Sequence, residues 1–444
     1  MSKQMHLFSF ILNSPINHTV GSWANPEDDR LEGMRSVDYW RNLGQTLERG
    51  CFDAVFFADI PAAYDNYRDS SDDTVRYGVC WPNHDPMIAL TLVASATKHL
   101  GLVVTKSVSA VHPYDLVRSL STLDYLSGGR VGWNVVTGHL RAEHRALGLE
   151  QMEHDARYDR AEEFLEVCSA LWDGIEDDAL VLDKERVHFA DPQKVRRVSH
   201  KGKYFTCDAV PAVLPSPQRR PVIFQAGSSA RGQRFAIEHA EAVFAVQHTE
   251  PLMMKFMEDI ARVAEGEGKP TPPVTFGVQV VLGDTTEEAE KHRVEMAKNV
   301  TLDGALARLS GTIGIDFSEK NLDEPLQMQK TQAGQGSMAS KAADKSLETL
   351  RDVAMVNGTS TSMMQIVGTA EHVAAELERL WRTTGCFGFN LTPTTSNDSI
   401  ERFVDQVVPL LQERGVLRRE YEGTTLRENV TEAVRENVTE AVTA

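Results

Sequence analysis

Polar residues close a series of short apolar runs in this chain, and their types suit a ligand held by hydrogen bonds. Asp59 ends FDAVFFAD, Thr105 and Ser107 fall at the end of GLVVTKS, and Asn134 and Thr137 lie in RVGWNVVT, with His139 just beyond. Ser228 and Ser229 follow PVIFQAG. Carboxylate, carboxamide, hydroxyl and imidazole together supply both donors and acceptors. Taken singly, each is equally an ordinary turn or cap residue, because Asp, Asn, Ser and Thr dominate strand-to-helix loops. Their recurrence at strand end after strand end is what suggests a binding mouth. Metal chemistry has no comparable signature: HPY at 112 to 114 and PNHDP at 82 to 86 lack a second ligand at helical spacing. The five cysteines, Cys51, Cys80, Cys168, Cys207 and Cys386, are widely spaced and read as reduced, mostly buried thiols. A G-x-S-x-G elbow is missing as well, which counts against a hydrolase.

The elements that must position these residues alternate between apolar runs and amphipathic stretches, the pattern of βα units feeding a parallel sheet. Strands are expected at 5 to 12, 53 to 60, 101 to 107, 130 to 137, 221 to 227, 241 to 247, 274 to 282 and 387 to 393. Helices are expected at 36 to 49, 87 to 98, 114 to 126, 158 to 172, 230 to 239 and 400 to 414. No G-x-G-x-x-G turn follows the first strand, so a dinucleotide-type open sheet is disfavoured against an α/β TIM (β/α)8 barrel. A barrel places its site at the carboxyl ends of the strands, where the polar residues fall. Residues 1 to 420 are read as one barrel domain with long insertions at the carboxyl-end face, at 61 to 86, 174 to 220 and 301 to 368, all expected to build the substrate cavity. Within the last, KTQAGQGSMASKAADKS (330 to 346) has the composition of a mobile lid. Residues 421 to 444 form an extension in which RENVTEAV occurs twice. It reads as a frayed, solvated helix, the alternative being a docking helix that presents Val430, Val434, Val438 and Val442.

A formal charge of −18 argues against nucleic acid or an anionic membrane surface as partner and leaves a small molecule as the expected ligand. The start of the chain shows no export signal, so a cytoplasmic protein is expected.

Six stretches carry a resemblance to a known family: FDAVFFAD (52 to 59), TLDYLSGGRVGWNVVT (122 to 137), EHDARYDRAEEFLEV (153 to 167), DPQKV (191 to 195), PSPQRRPVIFQAGSSARGQRFA (215 to 236) and FVDQVVPLLQERG (403 to 415). The chain resembles the bacterial-luciferase-like flavin-dependent monooxygenases, within the nitrilotriacetate, dibenzothiophene sulfone and long-chain alkane monooxygenase group. The resemblance implies an oxygenase that receives FMN as FMNH2 from an NADH-dependent flavin reductase. With O2 as co-substrate it would form a flavin C4a-hydroperoxide and oxygenate its substrate, with C–S, C–N or C–halogen cleavage among the outcomes. By the same resemblance Asp59, Thr105, Asn134, Thr137 and His139 lie near the flavin ring and ribityl chain, while Tyr158, Ser228 and Ser229 hold the phosphate. That assignment agrees with the helix start GSSARG, whose backbone N–H groups suit an anion. Arg157 and Arg231 are candidates to pair with it, the alternative for Arg157 being a surface salt bridge.

His18, in INHTVGSW, aligns with a histidine that the sulfone enzymes place over the flavin and is the first catalytic candidate; an imidazole can donate or accept a proton near neutral pH. Its alternative is a loop histidine bonded only to backbone. Ser14 stands where the alkane enzyme has cysteine and Thr312 where the sulfone enzyme has histidine, so substrate identity does not carry over. Phe10, Phe56, Tyr64, Trp81 and Phe244 are expected to line the pocket, favouring a bulky apolar or aromatic substrate. The family implies a homodimer or homotetramer. The rival readings are an F420-dependent dehydrogenase on the same barrel and a flavin-binding protein without turnover.

Overall fold

A parallel strand covered on both faces must be apolar along its whole length. Eight such strands close into a barrel in the computed structural model, which describes residues 4–329, 331–395 and 397–430. They are β1 (His6–Leu12), β2 (Ala54–Ala58), β3 (Gly101–Ser107), β4 (Val131–Val136), β5 (Val222–Gln225), β6 (Ala242–Ala245), β7 (Val274–Leu282) and β8 (Gly388–Thr392). Each pairs in parallel with the next, and β8 returns to β1 through His6↔Gly388 and Phe8↔Asn390, leaving no gap. These are the eight expected runs in the expected order, with ends moved by a residue or two. The β1–β8 seam needs glycine at 388, because a Cβ there would lie 1.9 Å from the carbonyl oxygen of His6.

The amphipathic stretches fold as the outer helices. Several begin on a side chain that accepts a backbone N–H: Ser36 from Asp38, His112 from Tyr114, and Ser229 from Gly232. Helices Glu250–Gly266 and Ala370–Thr384 join this layer, although the sequence reading did not single them out. The barrel interior is packed with phenylalanine. Phe56 lies edge-on to Phe224 at 5.5 Å between centroids, and Phe10 lies 4.6 Å from Phe244.

The floor is closed from the C-terminal side. Leu426 is fully buried and Val430 nearly so, and both join the barrel-interior cluster. A Cβ on Gly101 would stand 2.5 Å from a methyl of Leu426, so β3 presents bare backbone to it. The expectation of a solvated extension therefore fails where this segment begins. Val434, Val438 and Val442 lie outside the described residues.

Of the three long insertions, one forms the roof. Residues 301 to 368 supply helices Leu302–Ile313, Gln335–Ala343 and Leu350–Ser360, then strand Met364–Gly368, which adds to the outer edge of β7. Tyr64 and Leu12 join these helices in a second apolar cluster. The stretch expected to be a mobile lid is helical over Gln335–Ala343, with Met338 fully buried. Residues 174 to 220 do something else: they form two hairpins, Leu180–Asp183 with His188–Ala190 and Val198–Lys201 with Thr206–Ala209. Phe205 packs edge-on to Phe164 of the outer helix His154–Trp172, so this insertion braces the barrel wall and does not line the cavity described below.

Candidate active site

The polar strand ends meet at the carboxyl-end mouth. Asn134 donates to Thr105 Oγ1 at 2.9 Å across neighbouring strands, both residues buried. Lys106 Nζ reaches Asp59 Oδ2 at 3.3 Å and Asp85 Oδ1 at 2.8 Å. Burial pushes the Asp59 carboxyl up to about 6, against the pull of Lys106. Beyond β4, the Thr137 carbonyl accepts from Ser109 Oγ at 3.1 Å. Gly138 follows with φ of +67°, and a Cβ there would strike Ser109 Oγ at 2.6 Å, so the loop can lie this close only with glycine. His139 sits among side chains that hold it neutral: burial, with Arg157 and His144 beside it, takes it down to about 4. Glu143 is buried next to Ser107 and is raised by that burial.

A second group forms a crotch at the start of helix Ala230–His239. Ser229 caps the helix and also meets His154 Nε2 at 3.1 Å. The Tyr158 hydroxyl lies beside Ser229 and Gln225, and stands 2.7 Å and 2.6 Å from where Cβ atoms of Gly227 and Gly232 would project. The two glycines therefore leave the phenol close against bare backbone, their own N–H groups donating to Gln225 Oε1 and Ser229 Oγ. Ser228 borders the same space, under the lid: a Cβ on Gly336 would lie 2.1 Å from its hydroxyl. Arg157 is buried, donates to the carbonyls of Met152 and Gln332, and keeps a buried Nε without a partner, which removes the surface salt bridge as its explanation. Arg231 is the correction. It bonds Asp159 at 3.1 Å and Glu162 at 2.8 Å, so its charge is answered by carboxylates on its own surface.

On the opposite side stands His18. Its ring stacks on Phe10 at 4.4 Å and 8°, and its Nε2 is buried without a partner. Its carbonyl accepts from Arg308 of helix Leu302–Ile313 and from Thr361. Burial, then Arg308 and Arg30, hold the imidazole well below its ordinary range, so it is neutral at physiological pH. That corrects the expectation of an acid or base titrating near neutrality. Ser14 is fully buried and only caps a turn, accepting from Ile16 N at 3.1 Å.

Between these groups and the roof lies a cavity of about 180 Å³, bordered by Phe244, Ser228, Thr312 and Lys341 among others. Thr312 lies beside the hydroxyl of the buried Tyr64. Phe10 reaches the cavity through Phe244, while Phe56 is barrel core. Trp81 is 39% exposed and outside the lining. Phe244, Ala245, Val246, Leu252 and Leu347 make the larger share of the cavity surface apolar, with Ser, Thr, Asn, His, Lys and Asp side chains set among them. Sequence reading passed over Lys106, Glu143, Arg308 and Lys341. Lys106 was visible as the one charge inside LVVTKS, whereas Arg308 and Lys341 lie on insertion helices whose placement has no local signal.

The sequence profile described as luciferase-like monooxygenase matches residues 8–386. The chain belongs to that family. It is 38% identical over 434 residues to long-chain alkane monooxygenase of Geobacillus thermodenitrificans (strain NG80-2), covering 97% of this chain and 94% of the relative. Dibenzothiophene-sulfone monooxygenase of Rhodococcus erythropolis (strain XP) is 38% identical over 439 residues, with 96% of each chain covered. The crystal structure of riboflavin lyase (RcaE) with modified FMN and riboflavin superposes with a TM-score of 0.90 at 33% identity, covering 96% of each chain. This luciferase-like chain is therefore a flavin-dependent monooxygenase of the two-component type. The residues fit a flavin mononucleotide: the crotch offers hydroxyls and a helix start to a phosphate. At the mouth, Asn134 Oδ1, Glu143 Oε1, His18 Nε2 and Arg157 Nε are buried polar atoms still lacking partners. No helix of the described residues is long and apolar enough to cross a membrane.

Proposed function

We propose that this protein is the oxygenase component that takes FMNH2 from an NADH-dependent flavin reductase and inserts one atom of O2 into a small organic molecule. The observation that carries the reading is the crotch, where the Tyr158 phenol, the Ser229 cap and the bare backbone of Gly227 and Gly232 converge at a helix start. Bound there, reduced flavin would supply the two electrons that activate O2, one atom of which goes to the substrate and the other to water. Tyr158, Ser228 and Ser229 hold the phosphate; Thr105 and Asn134, locked to each other, present a fixed pair of polar atoms to the ring, beside Asp59, Thr137 and His139. Neutral His18 offers Nε2 as one directed hydrogen-bonding atom, its loop pinned by Arg308. Roof helix Gln335–Ala343, seated by Met338, excludes water and stray protons from the mouth. Phe244, Val246 and Leu252 offer an apolar surface to the substrate, facing the roof, where Leu347 stands among Ser337, Ser340 and Lys341.

The test is stopped-flow absorbance of the protein mixed anaerobically with FMNH2 and then with O2. A flavin spectrum distinct from oxidised FMN that outlasts the same reaction in buffer supports the oxygenase. Reoxidation at the buffer rate, with no binding of FMNH2, returns the barrel to F420 chemistry or a non-catalytic role. Light scattering on a sizing column decides between the homodimer and homotetramer.

A further inference from the structure

The insertion that braces the outer wall also carries a ribbon whose apolar side chains stand in water. Strands Leu180–Asp183 and His188–Ala190 form a two-stranded sheet of their own. Leu180, Val181, Leu182, Val187 and Phe189 are all exposed, Val187 at 87% and Phe189 at 65%. An isolated two-stranded ribbon is marginally stable at best in water. Its backbone is strained as well: Leu182 and Val187 hold φ of +53° and +55°, a left-handed conformation unfavourable for any side chain and most of all for a β-branched one. A register shift between Leu180 and Asp183 interrupts the ladder, so the ribbon offers side chains rather than a continuous backbone edge.

Charge is arranged at the two ends of the first strand. Glu176, Asp177 and Asp178 precede it, and Lys184 and Arg186 follow it in the turn, where Asp183 accepts from the backbone N–H groups of Glu185 and Arg186. Asp177 and Asp178 meet Arg219 and Lys194 on their own wall and stay largely exposed. Glu176 acts on Lys194 from beyond ion-pair distance, and Lys184 forms no ion pair within 4.0 Å among the described residues. Two ribbons laid antiparallel about a two-fold axis through Val181 would set apolar side chains against apolar ones. The same placement brings Lys184 and Arg186 of each copy toward Asp178 and Glu176 of the other. The like-charged meeting, Glu185 with Asp177, falls where Arg219 already answers the carboxylate. We infer that this ribbon is a docking surface for a second copy of the chain, the two ribbons packed antiparallel across a two-fold axis. Apolar contact supplies the affinity, and the exposed ion pairs, individually worth little, set the direction. A standard interface uses roughly 20 to 30 residues a side, so this smaller contact joins copies weakly.

Sedimentation velocity of the purified full chain, from roughly 0.1 to 100 μM, tests this without flavin or turnover. The proteins are wild type, the double variant Val187→Asp with Phe189→Asp, the single variants Arg186→Glu and Glu176→Arg, and the last two combined. Wild type should show a concentration-dependent association step in that range. The double Asp variant should weaken the step at least about 30-fold, with its urea midpoint not lowered because both side chains stand in water. Each single charge reversal should weaken it about three- to ten-fold, since every pair occurs twice across the axis. Combining the two reversals should return it to within about two-fold of wild type. A wild type that shows no such step overturns the proposal and leaves the ribbon to a different protein. So does association untouched by the double Asp variant. Charge reversals that add rather than cancel overturn the two-fold arrangement.

Discussion

Replacing Tyr158 with Phe removes one oxygen atom from the crotch and leaves its packing intact. The phenyl ring would still fill the space beside Phe235, whose centroid is 5.5 Å away, and helix His154–Trp172 would keep its seat on the barrel. What disappears is a hydroxyl that lies beside Ser229 and Gln225 against the bare backbone of Gly227 and Gly232. Burial raises this phenol, so at neutral pH it stays protonated and able to donate to an anion. A hydrogen bond to a charged group contributes about 1.5 to 3 kcal/mol. At 1.4 kcal/mol per decade, Tyr158→Phe should weaken FMN binding by about 10- to 100-fold. Riboflavin lacks the phosphate and should lose less than about three-fold, the ordinary scatter of a neutral contact. The assay is equilibrium titration of both flavins, oxidised and reduced, followed by flavin fluorescence or anaerobic absorbance. Equal losses for FMN and riboflavin would refute the phosphate assignment, because the hydroxyl would then be serving the ring, the ribityl chain or the fold.

Three further outcomes follow from the same geometry. His18→Ala should lower product formation by at least about 100-fold while FMN affinity changes little; retained yield removes His18 from the reaction, and an inflection in rate near pH 6.5 contradicts its burial. Leu426→Ala opens the barrel floor against Gly101 and Gly132 and should cost about 3 kcal/mol, read as a lower urea midpoint at unchanged slope; an unshifted midpoint means the floor does not hold the barrel. Asp59 is held at about 6 by burial, above its ordinary value of 3.8. The folded state thus keeps this proton more tightly than the unfolded chain, a contribution full below about 3.8 and lost as pH rises through about 6. Asp59→Asn should therefore flatten the pH dependence of the urea midpoint across that window, and a slope identical to wild type would contradict the burial.

Much of this site could be read because its carriers are local. An apolar run ending in Asp59, Thr105 or Asn134 places a polar side chain at the carboxyl end of a strand whatever the surrounding chain does, because alternation along a strand is a property of the backbone. Tyr158 and Ser229 were reached through motif resemblance, and the structure brings the two hydroxyls together. Arg231, one residue into the same helix, was misjudged because sequence proximity to a helix start does not say which way a long side chain turns. Here the turn is settled by Asp159 and Glu162 on a neighbouring helix.

The insertions separate what a sequence carries from what a fold adds. Their lengths were plain, yet 174 to 220 braces the outer wall while 301 to 368 roofs the mouth, and composition alone made a mobile lid of a segment that Met338 anchors. The tail looked solvated because its buried residues, Leu426 and Val430, find their apolar partners in barrel strands more than a hundred residues distant. By itself the sequence determined the eight strands, their order and the polar character of the mouth, since these follow from periodicities within a few residues. Tertiary structure alone decided that His18 is neutral, that Phe56 is core, and that Lys341 and Asp344 are buried together under the roof. Burial and charge compensation are sums over neighbours distant in sequence, and no local pattern contains them.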